Sequence, residues 1–148
     1  MLKETLIEIF ERDLNKLKIE ISSYQDESKI WIIEKNIKNS GGNLCLHIVG
    51  NLDQFIGGVI GKSGFVRDRD AEFNKKNIPR KELIKSIDQT LNSVVLTIHN
   101  MSEDEFENVY PVDVFNQKMT TGYFLVHLTT HLNYHLGQIN YHRRIIGL

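Results

Sequence analysis

Apolar residues in this chain recur at steps of three and four positions in four separated segments, and nowhere do they alternate over a convincing strand. Steps of three and four return to the same side of an α-helix, so each segment carries one stripe that must be buried. The sequence is therefore expected to form an all-α fold, a bundle of four helices packed stripe to stripe. Its 148 residues suit a single domain, 1–148. A chain of that length buries about two-thirds of its unfolded surface, and so needs neither a disulfide nor a metal simply to fold.

The first helix is expected from about Leu2 to Tyr24, where Leu6, Ile9, Phe10, Leu14, Leu17 and Ile21 form the stripe and Asp13 interrupts it. Asp13 is thus a candidate polar group facing the interior. The period breaks from Gln25 to Asn39, and Trp31, Ile32 and Ile33 are expected to fold back as a plug on one end of the core. Asn39 or Ser40 can cap a second helix over Leu44 to about Ile60, with Leu44, His47, Ile48, Asn51, Leu52, Phe55 and Val59 on one face. Gly57, Gly58 and Gly61 near its end suit fraying or a close helix contact. After a polar connection, Asn77 is the expected cap and Pro79 sits in the first turn of a third helix reaching about His99. Its stripe is Leu83, Ile84, Ile87, Leu91, Val94, Val95 and Ile98. Ser102-Glu103-Asp104-Glu105 has capping-box spacing and opens a short turn, while Pro111 makes Val109 to Phe115 a poor strand. The last helix runs from Thr120 or Thr121 to about Ile146.

A net charge of −1 gives no electrostatic reason to expect nucleic acid or a membrane surface as partner. Met1-Leu2-Lys3-Glu4 is not a basic segment followed by an apolar one, and no run approaches 18 apolar residues, so neither a signal peptide nor a spanning helix is expected. The single cysteine, Cys45, has no partner for an internal bridge, which points to a reducing, cytoplasmic setting.

Four of the six histidines, His127, His131, His135 and His142, fall in the last helix at spacings of four and seven. At about 100° per residue they share a sector of roughly 80° that also holds Gln138 and borders Phe124, Leu128, Ile139 and Ile146. Imidazoles beside a core require partners, and a divalent ion gripped by residues i and i+4 is one such partner. His47, on the interior stripe of the second helix, can supply a third ligand and leave positions open for chemistry. Against this stands the ordinary alternative that helical His-x-x-x-His pairs arise by chance and are satisfied by hydrogen bonds. His99 and His142 read as surface or end-of-helix residues, the latter with Arg143 and Arg144 at the negative end of the helix dipole.

Leu44-Cys45-Leu46-His47-Ile48-Val49-Gly50-Asn51-Leu52 resembles the second helix of the DinB-like superfamily, and His131-Leu132-Asn133-Tyr134-His135-Leu136-Gly137-Gln138-Ile139 resembles its fourth. The Arg67 to Phe73 run is similar to a branch of unknown function, and the resemblance covers nearly the whole chain. It implies a four-helix bundle of up-down-down-up order, usually a homodimer. It also implies a metal, usually zinc or nickel, held by His47, His131 and His135. His127 stays outside that set, either as a member of a shifted triad, a proton carrier or a hydrogen-bonded core residue.

Three functions follow from such a site. An enzyme would activate the thiol of a small cofactor such as bacillithiol or mycothiol for transfer or isomerisation, or activate water for hydrolysis, with Asn51, Tyr134 or Gln138 orienting a small-molecule substrate. No residue reads as a dedicated carboxylate base, Asp13 being the weak candidate. A non-catalytic metal-binding or stress-related module would instead show a closed, fully protein-ligated site. An interaction scaffold would hold no metal. Arg67, Asp68, Arg69, Asp70 and Glu72 read as a salt-bridged loop, with the pocket entrance or a dimer contact as the alternative. Cys45, roughly 200° around the helix from His47, reads as a buried apolar-like residue rather than a fourth ligand, and Trp31 as packing or a pocket wall.

Overall fold

The computed structural model describes residues 1–148 and contains six α-helices and no strand. They are α1 (Leu2–Ser23), α2 (Gly41–Leu52), α3 (Arg69–Asn74), α4 (Arg80–Asn100), α5 (Glu103–Glu107) and α6 (Thr121–Ile146). A 3-10 turn occupies Glu27–Trp31, and a π-helical turn, Asp53–Gly58, prolongs α2. Helix α1 lies against α4 and α6, and α2 lies against the same two. No helix is long and apolar enough to cross a membrane.

The stripes explain the packing. Leu6, Phe10, Leu14, Leu17 and Ile21 of α1 are buried, as are Leu83, Ile87, Val94 and Ile98 of α4, and burial of such side chains contributes about 1.5–3 kcal/mol each. Ile84, Leu91 and Val95, expected on the α4 stripe, are only half-buried, and Thr90 takes an interior place because its hydroxyl donates to Asp53 Oδ1 at 2.9 Å. The interior Asp13 accepts from Arg12 Nε at 2.8 Å and from Asn133 Nδ2 at 3.2 Å, so it ties α1 to α6.

Local chemistry sets the helix ends. Ser40 is the cap of α2, its hydroxyl accepting from Asn43 N–H at 3.1 Å, and the helix starts three residues before Leu44. Helix α4 departs from expectation, since Asn77 takes a positive φ of 59° and Pro79 itself is the cap residue, just outside the helix. The capping box at Ser102 forms and opens only the five residues of α5. The expected plug is carried by Ile30 and Trp31, both buried, whereas Ile33 is exposed. Gly57 marks a close contact rather than fraying, because a Cβ there would lie 2.9 Å from Ser93 Oγ of α4.

His142 departs most from expectation. It is not a surface residue but is 6% exposed, with Tyr24 O–H donating to Nδ1 at 2.6 Å and Nε2–H donating to the Ile32 carbonyl at 2.8 Å. Three parts of the chain meet there: the end of α1, the segment after the 3-10 turn, and the end of α6. Burial lowers its pKa, partly offset by the Ile32 hydrogen bond. A histidine whose folded pKa is depressed supports stability fully above its unfolded value near 6.5 and loses that support as pH falls through the folded value. His142→Gln is therefore expected to cost about 1–3 kcal/mol at pH 7.5 through lost buried hydrogen bonds. The gap to the native chain should narrow by pH 5, where only the native chain must bury a protonated ring. Urea unfolding at both pH values checks this, and a gap that widens on acidification would contradict it.

Candidate metal centre

The structure brings three of the six histidines together: one ring nitrogen each from His47, His131 and His135 lies within 4.8 Å of the other two. His131 and His135 are one turn apart on α6, so they project side by side, and α2 packs across them with His47. The closest approach, His47 Nε2 to His131 Nε2, is 3.1 Å. Two imidazole nitrogens at about 2.0–2.1 Å from a tetrahedral ion lie roughly 3.4 Å apart, so this pair is already near ligating separation.

Two of the rings are oriented from behind. His47 Nδ1–H donates to Glu72 Oε1 at 3.0 Å, and His135 Nδ1–H donates to Gln138 Oε1 at 2.7 Å. Each bond selects the tautomer whose Nε2 carries the free lone pair, which is how metal-binding histidines are usually held. Arg67 fixes Glu72 in turn, with Nε at 2.9 Å from Oε2 and Nη2 at 3.0 Å from Oε1. Burial alone would push the Glu72 carboxyl up, but the hydrogen bonds from His47 and Arg67 outweigh it and hold it below the usual range. Burial lowers His131 to about 4, reinforced by the neighbouring histidines, and burial also lowers His135. Neutral imidazoles are the ligating form, so the lowered values favour ligation by His131 and His135 near neutral pH.

Glu72 is the residue that sequence reasoning missed. The Arg67–Glu72 run does contain an ion pair, but it is a buried support for His47 and not a solvated loop, and its second half is the helix α3 capped by Asp68. The one local cue is Gly50, three residues after His47, where a Cβ would stand within covalent range of Glu72 Oε2. Only glycine lets α3 bring its carboxylate this close to α2.

The remaining candidates separate cleanly. Beside His47 and His131 opens a cavity of about 250 Å³, lined also by Asn51, Arg67, Arg69 and the aromatic wall of Phe55, Phe115 and Phe124. His127 lies in that wall, 4.9 Å from the Phe115 ring and stacked at 6.0 Å on Phe124, so it is neither in the cluster nor a hydrogen-bonded core residue. Tyr134 is exposed and sits edge-on to His135. Asp13 does not line the cavity, which removes it as a base there. Cys45 is fully buried with its thiol pushed up to about 12, as suits an unreactive core residue. His99 is exposed.

These observations define an all-helical protein with a three-histidine cluster fit to hold a divalent metal and an open cavity beside it. A family model described as "Protein of unknown function (DUF1572)" matches residues 3–147, and the chain belongs to that family. No curated protein matches the sequence.

Glu72→Gln keeps the shape of the side chain and removes its charge. Metal affinity is expected to fall about 10–100-fold, as for other supports of ligating histidines. Competition against a chromophoric chelator measures it, and an affinity equal to that of the native chain would separate Glu72 from the site.

Proposed function

We propose that this chain is a DinB-like protein that holds one divalent ion, zinc or nickel, on His47, His131 and His135 and uses it as an enzyme on a small molecule. The observation that carries this reading is the convergence of three imidazole nitrogens, two of them fixed from behind with free Nε2 atoms. The cavity against His47 and His131 favours catalysis over a closed structural site, because it brings no further protein ligand to the cluster. When bound, the ion would act as a Lewis acid that lowers the pKa of a thiol or a water at its open position. The reaction is then thiol transfer, with a low-molecular-weight thiol as co-substrate, or hydrolysis.

The chain's own part is positioning. Glu72 and Gln138 hold ring tautomers, Arg67 keeps Glu72 ionised, and the aromatic wall limits water on the cavity side. Asn51 is the lining residue with an amide to orient a substrate, while Gln138 is committed to His135.

The proposal extends to a four-helix bundle of up-down-down-up order, and four sets of contacts support it. Tyr24 meets His142 and Leu2 approaches Gly122, so α1 and α6 run the same way. Lys18 pairs with Asp88 at 2.6 Å and Lys3 reaches the His99 carbonyl, so α4 runs against α1. Gly41 lies by His142 while Phe55 packs on Phe124, so α2 opposes α6. Asp53 meets Thr90 and Gly61 meets Thr97, so α2 and α4 are parallel. A cytoplasmic homodimer completes the reading, and Tyr134, Tyr141 and Ile145, exposed along one side of α6, are available apolar surface for the contact.

Elemental analysis of the purified chain beside a His131→Ala/His135→Ala double variant is the test. About one divalent ion per chain is expected in the native protein and none in the variant, with circular dichroism showing that both remain helical. A thermal shift with low-molecular-weight thiols in the native protein alone would then select transfer. Absence of metal from both proteins after titration would sink the mechanism.

A further inference from the structure

The cavity beside the histidine cluster is unusual in its charge. Its lining includes Arg67 and Arg69 but no aspartate or glutamate. Arg67 is neutralised by its two bonds to Glu72. Arg69 is different, because its guanidinium stands over the Phe73 ring at 5.2 Å and takes part in none of the chain's ion pairs. One cation at the rim is therefore left for a ligand.

A second feature borders the same space. Asn51 lines the cavity, is 6% exposed, and its buried Oδ1 has no hydrogen-bond partner. An unpaired buried amide oxygen costs about 1–3 kcal/mol, and such groups in native proteins call for an explanation. A ligand N–H or O–H, met by a turn of the Asn51 amide toward the cavity, is one. The third feature is apolar: Phe55 and Phe124 meet edge to face at 5.3 Å, and Phe115 closes the wall while 44% exposed. At about 250 Å³ the space lies just below the roughly 300–1,000 Å³ of drug-sized sites and suits a fragment-sized molecule.

We propose that this cavity binds a small monocarboxylate that carries an apolar or aromatic body and a hydrogen-bond donor. The carboxylate pairs with Arg69, the body packs on Phe55, Phe115 and Phe124, and the donor satisfies Asn51 Oδ1. One free guanidinium matches a monoanion better than a phosphate dianion, and guanidinium geometry suits two parallel bonds to a carboxylate. That the cavity is the substrate site, rather than a site of another kind, rests on the metal reading above.

The test is calorimetric titration of the native chain, its metal content measured, with three probes: mandelate, the neutral mandelamide, and phenylacetate, which lacks the hydroxyl donor. Mandelate is expected to bind at least 10-fold more tightly than mandelamide. Arg69→Gln should weaken mandelate about 10–100-fold, the range for a hydrogen bond to a charged group. Asn51→Leu should weaken mandelate to the level of phenylacetate while leaving phenylacetate binding unchanged and not lowering thermal stability. Equal mandelate affinity in the native chain and Arg69→Gln would overturn the proposal. So would loss of binding in the His131→Ala/His135→Ala variant with no loss in Arg69→Gln, because the carboxylate would then be a ligand of the ion. Inorganic phosphate that binds more tightly than mandelate would overturn the choice of a carboxylate. Failure of the metal reading shows separately, as absent metal, and leaves these Arg69 and Asn51 comparisons intact.

Discussion

Everything distinctive about this fold depends on placing polar rings at a helix seam without giving each a protein partner. His47 is 7% exposed and faces His131 nitrogen to nitrogen. Two neutral imidazoles so placed gain at most one N–H···N bond, and a third ring, His135, crowds the same seam at 5.1 Å from His47. Only His47 is buried, while His131 and His135 are half-buried, and three nitrogens this close could together hold a metal ion. The neighbouring elements are shaped around that arrangement. Helix α3 is short and serves chiefly to deliver Glu72, and Gly50 clears the path for it.

The π-helical turn after α2 has a related effect. A π turn shifts the phase of a helix and is often found where a site is built. Here the phase change follows Asn51 and Leu52 and places Phe55 against Phe124, opposite the ring of His127. Asp53, at the start of the turn, is raised above the usual carboxylate range by burial, with the Thr90 hydroxyl partly countering this. The end of α2 is thus tied to α4 by a polar contact while its opposite side forms the cavity wall.

How far the sequence disclosed this architecture varied with the range of the interactions involved. The α1 stripe was legible because burial there follows from period alone, and Ser40 was legible as a cap because the bond is three residues long. Helical spacing of the last helix's histidines, with His47 on a second stripe, pointed to a cluster, and the resemblance to the DinB-like superfamily singled out His131 and His135 over His127. Two of the misreadings share a cause. Glu72 sits among alternating charges that look like solvated surface, and its pairing with His47 spans 25 residues. His142 looked like a dipole-facing residue beside two arginines, and its partners are 118 and 110 residues away. Asn77 had the side chain of a cap but the backbone of a left-handed turn. Long-range partners decide the positions of Glu72 and His142, and local pattern holds no record of them.

His131 and His142 allow a comparison within one helix. His142 is buried and His131 half-buried, and burial lowers both pKa values. At His142 each ring nitrogen has a dedicated protein partner, a tyrosine hydroxyl and a carbonyl, so the ring is a fixed joint between three chain segments. At His131 the only hydrogen-bond partner is another imidazole, which cannot satisfy it in the same way. Since α6 can supply full satisfaction at one end, the incomplete satisfaction at the other is not a limit of helix packing. The half-buried His131 thus stays open to water or to an ion that the three histidines could hold. The hydrogen bonds of His142 and Asp13 tie chain segments together, while His47, His131 and His135 could hold a metal ion beside the open cavity.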